Sequence, residues 1–199
     1  MLRDLRQQQG RQEGRDLLRH QDARRGEGRD QRLTLKAWDA VVRLLHWTLA
    51  ALIVFDLIYD DGGYTHRLVG YAAAVVVLLR LGWQALARGH SLRPSIAETR
   101  AYIRLLLAGK PPRSAGHDPL GLWMVWLLWI LVLLLALSGW MSRLDVFWGD
   151  ERVEEVHAIL ANLLMLAVLL HVLAVSVMSV IWKENLPAAM VTGVKRPPG

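Results

Sequence analysis

Cysteine is absent from the 199-residue chain. That excludes disulfides, thiolate-held iron–sulfur clusters and the C-x-x-C-H attachment of a c-type haem, and leaves histidine as the strong ligand for a metal. Phenylalanine is scarce, two residues against nine Trp and four Tyr, a bias that fits an interfacial aromatic belt. Carboxylates are nearly missing from the apolar runs, with Asp56 the one that lies well inside. Residues 1–36 lack apolar periodicity and hold no h-region of the kind a signal peptide needs. Their Arg, Gln and Gly read as a basic, disordered tail.

Charge and apolarity are both abundant, so they must be segregated. The chain is 53% hydrophobic yet carries 24 Lys and Arg against 18 acids, a net charge of +6. In a soluble protein such a basic balance would suggest nucleic acid. Here basic segments flanking a membrane explain it, and no nucleic-acid partner is expected. Four apolar runs stand out, at about 38–59, 68–87, 120–141 and 153–182. Each is long enough for one transmembrane helix, which needs roughly 20 apolar residues. Between the second and third, S-I-A-E-T-R-A-Y-I-R-L-L-L-A-G (95–109) has the spacing of a short amphipathic helix on the membrane surface. The expected fold is an all-α four-transmembrane-helix bundle over 37–186, with a C-terminal tail over 187–199.

Four crossings put both termini on one side. The N-terminal tail, the 88–119 connection and the C-terminus are rich in Arg and Lys. The other two loops hold Arg67, Arg143 and Arg152 against Asp60, Asp61, Asp145, Asp150, Glu151, Glu154 and Glu155. By the positive-inside rule both termini are cytoplasmic, in a multi-pass protein of the bacterial inner membrane.

The histidines follow this topology. His157 and His171 share the fourth run; at 100° and 1.5 Å per residue they fall within about 40° of one face, roughly 21 Å apart. His46 lies about 12 Å in from Trp38, and His171 about 16 Å in from Trp182, both from the cytoplasmic side. His66 opens the second run at the outer surface, level with His157. A single intramembrane His is satisfied by a hydrogen bond to a neighbouring helix. Four of them, sorted into two height-matched pairs, call for partners of another kind. Two b-type haems, each with its iron between two imidazoles, satisfy all four at once.

Other residues fit that picture with rival readings open. Arg43, three residues before His46, and Arg80, 14 residues after His66, suit haem propionates or snorkel to the headgroups. Gly70, Ala50 and Gly139 offer room for a macrocycle, or serve close helix packing. Asp56 caps locally or pairs with Arg67, proton transfer being the sharper alternative. His20 and His90 read as solvated.

The segments R-L-L-H-W (43–47), H-R-L-V-G-Y (66–71), G-H-D-P-L-G (116–121), V-H-A-I-L-A-N (156–162) with His171, and A-A-M-V-T-G-V-K-R (188–196) together resemble the bacterial cytochrome b561 family, which includes the b-type cytochrome subunits of nickel–iron hydrogenases. The resemblance covers about Leu33 to Arg196. It implies haem iron ligation by His46, His66, His157 and His171. The depths pair His46 with His171 at a cytoplasmic haem and His66 with His157 at a periplasmic one. His117 matches the family's G-H-[DN]-P-L-G segment, either as a turn that starts the third helix or as a propionate or quinone contact. The expected function is transmembrane electron transfer between a periplasmic cytochrome, or a dehydrogenase or hydrogenase subunit, and a pool of ubiquinone or menaquinone; whether the chain forms a homodimer stays open. The rivals are a stand-alone quinone oxidoreductase, for example oxidising superoxide at the outer haem, a haem-free metal-ion transporter, and a structural anchor.

Overall fold

The computed structural model describes residues 35–36, 39–59, 62–86, 95–109 and 118–195. Four helices are long and apolar enough to cross a membrane: α1 (Ala40–Ile58), α2 (Tyr64–Leu86), α4 (Pro119–Met141) and α5 (Glu151–Ile181). The connection between α2 and α4 contains α3 (Ile96–Leu107), and a seven-residue helix, α6 (Leu186–Thr192), follows α5. A two-residue strand, β1 (Leu35–Lys36), pairs antiparallel with β2 (Val194–Lys195). The fold is an all-helical four-helix membrane bundle.

Local chemistry sets the helix starts. Asp39 accepts from the Val42 amide at 2.8 Å and Asp118 from the Gly121 amide at 2.7 Å, with Pro119 in the first helical position. Ser95, Asp150 and Asn185 cap α3, α5 and α6 in the same way. Each such cap stabilises its helix by about 1 kcal/mol. Helix α2 begins at Tyr64, four residues ahead of the apolar run, because the polar first turn Tyr64–Arg67 sits at a helix end where side chains reach the interface. His66 is thereby rigidly helical rather than part of a loop.

Packing runs α1 on α2, α2 on α4, α4 on α5, with α3 against α4 and α6 against α5. The core is Ala73 and Val77 of α2, Trp129, Leu131 and Val132 of α4, and Leu164 and Ala167 of α5. Helix α1 has only Val42 buried. Its Leu44, Val54, Leu57 and Ile58 point outward, which in a bilayer means toward lipid. By contrast α1 and α5, and α2 and α5, are not closely packed backbone to backbone. These are the helix pairs that carry the histidines.

The end of the bundle that holds the start of α1 also holds the end of α5. Two contacts tie it: the β1–β2 ladder, and the Arg43 guanidinium, which donates to the Val191 carbonyl of α6. The stretch after Trp182, expected as a tail, therefore folds back across the bundle end. Gly193, at φ +80°, ends α6 in the left-handed conformation that glycine takes without a steric penalty. At the same end α3 docks through Tyr102, which is buried, and through the Trp123 indole, which donates to the Thr99 hydroxyl at 3.1 Å. Burial and the Asp118 charge push the Tyr102 phenol up to about 12.

Candidate functional site

At the end away from the termini, the rings of His66 (α2) and His157 (α5) face each other with centroids 6.1 Å apart and planes at 80°. Each ring has an oxygen beside its Nδ1, in ion-pair range at His66 and in hydrogen-bond range at His157. Asp56 Oδ1, from the last turns of α1, lies 3.0 Å from His66 Nδ1. Ser138 Oγ, from α4, lies 2.8 Å from His157 Nδ1. The same hydroxyl donates to the Leu135 carbonyl at 3.1 Å. A hydroxyl has one proton, so with that proton on Leu135 the oxygen accepts from His157. An ionised carboxylate likewise only accepts. A proton at Nδ1 of each ring, toward these two oxygens, leaves a bare Nε2 lone pair. That is the state in which a histidine binds metal.

Four helices and a glycine shape this site. A Cβ at Gly139 would come 3.3 Å from His157 Cε1, so the absent side chain is what lets the ring lie against α4. A Cβ at Gly70, one turn after His66, would meet nothing within 4 Å. Glycine there leaves open space beside the ring.

His46 and His171 sit in the other half of the bundle, on α1 and α5. His46 and His171 are close enough for the charge of one to act on the other. His46 lines a partly open cleft of about 70 Å³ formed by α1, α2, α4 and α6, with Arg80, Trp129 and Met190 in its wall. Arg80 is 9% exposed, which rules out snorkelling. Its guanidinium donates to Gln84 at 3.0 Å and lies 5.6 Å from the Trp129 ring centroid, a cation–π distance. Asp39 joins this end of the network by accepting from the Trp83 indole at 3.1 Å. Burial by itself would raise its carboxyl, but the Val42 amide, the Trp83 indole and the Arg80 charge together hold it below the usual 3.8.

Some expected residues fall elsewhere. Arg43 serves α6 through Val191 rather than lining the cleft. Asp56 meets His66, while Arg67 lies over the Tyr64 ring at 5.9 Å. His20, His90 and His117 lie outside the described residues. Ser138 had no role in the sequence reading, although its isolation in a wholly apolar run was a signal. Met190 lay in what read as a tail.

No curated protein and no solved structure matches this chain. A family model described as prokaryotic cytochrome b561 matches residues 37–193, which takes in all four long helices and every histidine discussed above except His20. The chain belongs to the prokaryotic cytochrome b561 family and is a membrane-embedded protein of transmembrane electron transfer with haem b.

Proposed function

We propose that the chain binds two b-type haems, one between His46 and His171 and one between His66 and His157, and carries electrons between a redox partner on the outer face and the membrane quinone pool. When bound, haem supplies a reversible one-electron iron couple. The chain supplies axial nitrogens, low dielectric and charge compensation.

The observation that carries this reading is the facing of His66 and His157. An imidazole nitrogen sits about 2 Å from a bound metal, so two rings sharing one ion have centroids roughly 6 Å apart. The observed 6.1 Å fits, and an oxygen stands at the Nδ1 edge of each ring, which leaves Nε2 as the nitrogen for the iron. The donors also come in twos: among the described residues no group of three or more His, Cys, Asp or Glu could hold a bare ion. A bare zinc or calcium takes four to eight ligands, whereas a porphyrin-held iron lacks only its axial ones. That disfavours the transporter.

At the inner site, Arg80 supplies a desolvated positive charge in the cleft wall beside His46, suited to a propionate. Met190 and Trp129 add apolar surface to the same wall. Cytoplasmic termini, taken from the basic loops, make this the cytoplasmic half, and the acidic stretches 60–67 and 143–155 then face the outer partner.

Replacing His171 by Leu tests the pairing. We expect the variant to purify with one haem instead of two, the survivor being the outer one, as counted by pyridine haemochrome. Equal loss of both from folded protein contradicts the pairing.

A further inference from the structure

The two histidine pairs differ in what stands behind them. Behind the outer pair are a carboxylate and a hydroxyl, each at the Nδ1 edge of one ring. Both come from helices other than the histidine's own. Asp56 rises from α1 to His66 on α2, and Ser138 from α4 to His157 on α5. Among the described residues, no carboxylate or hydroxyl is bonded to His46 or His171, and the nearby fixed charge in the inner cleft is the positive one of Arg80.

A carboxylate in the hydrocarbon region is costly and is retained only with a partner or a purpose. The Asp56 side chain is about one-quarter exposed, and its Oδ1, like His66 Nδ1, is shut off from the outside. Arg67, the nearest basic residue in sequence, is turned to Tyr64 instead. The carboxylate lies against an imidazole.

We propose that Asp56 and Ser138 are positioning residues for the outer haem: they fix the orientation and the Nδ1–H tautomer of His66 and His157, and the Asp56 charge holds the midpoint potential of that haem low. The inference rests on the reading of these two histidines as its ligands. A carboxylate at Nδ1 gives the ring imidazolate character and makes Nε2 a stronger donor. A stronger donor and a nearby negative charge both favour ferric over ferrous iron, which is a lower potential. Ser138 acts in the same direction with a neutral acceptor, so more weakly.

The test is a redox titration in the single-haem background left by His171→Leu. Asp56→Asn has the same shape, keeps one oxygen able to accept at His66 and removes the charge. We expect it to shift the remaining midpoint potential to a more positive value, with haem content unchanged and an altered low-spin ferric EPR signal. Ser138→Ala should shift it the same way by less. In the full two-haem chain, Asp56→Asn should raise one potential and leave the other in place. A retained haem whose potential neither variant moves overturns the proposal while sparing the ligand assignment. If Asp56→Asn sheds the haem, Ser138→Ala decides: a raised potential supports the proposal and an unmoved one overturns it. If His171→Leu strips both haems or neither, the ligand assignment has failed and the proposal falls with it.

Discussion

At the residue scale the histidines are distinguished by their neighbours rather than by their own chemistry. An imidazole in an apolar helix is costly until each nitrogen has an occupation. At the outer site Nδ1 is occupied by the protein, leaving Nε2 for a ligand. The space for that arrangement is set at Gly139. Alanine there brings a Cβ to 3.3 Å from His157 Cε1, a distance the ring can yield by a few tenths of an ångström. A branched side chain has no such accommodation. We therefore expect Gly139→Ala to keep both haems and Gly139→Leu to lose the outer one, visible as a halved haem count in purified protein. Retention of two haems by the leucine variant contradicts the placement of His157. Sequence made the four histidines legible, since depth follows from rise per residue alone. Their partners were not legible. Which side chain meets which across two helices depends on the rotation of each helix, and a helix that is apolar all round does not encode its rotation. Asp56 could thus be paired with Arg67 on paper and meet His66 in the fold.

At the element scale the spans were legible because a bilayer demands length and continuous apolarity, and α1, α2, α4 and α5 meet both demands. The short pieces were harder. Helix α3 was readable from its Ser95 cap and its spacing. Helix α6 was read as tail, although Asn185, Pro187 and Gly193 are the cap, the early proline and the terminating glycine of a short helix. Seven residues bury too little to announce themselves by periodicity. What holds α6 is tertiary, the Arg43 donation to Val191. The cap of α1 illustrates how such ends are coupled to charge. Asp39 accepts from Val42 and Trp83 while compensating Arg80. Its folded-state carboxyl is depressed, so the stability it contributes is fully present above the ordinary value of 3.8 and is lost as pH falls through the lower folded value. Asparagine caps equally well, so Asp39→Asn keeps the cap to Val42 and removes the charge together with the acceptor for the Trp83 indole. In thermal melts in detergent, wild type should be the more stable of the two at neutral pH. The gap should close as the pH falls below 3.8. A gap independent of pH contradicts the pairing with Arg80.

At the scale of the whole molecule, apolar area is disposed as a membrane protein disposes it. Large side chains such as Leu169, Val172 and Leu173 of α5 face outward, while the interior holds small residues, Ala73 and Ala167, beside Trp129. Helix association in lipid relies on close packing and polar contacts rather than on apolar burial. Here α2, α4 and α5 supply the packed core, and the histidine-bearing pairs α1/α5 and α2/α5 stand apart. Imidazoles across the looser seams are what the proposed two-haem arrangement requires. The central claim is therefore a count. Protein purified from haem-replete membranes should give a dithionite-reduced minus oxidised spectrum with a b-type α-band, and a pyridine haemochrome of two haems per chain. One haem per chain would mean that one histidine pair binds nothing, and none in well-folded protein would contradict the account.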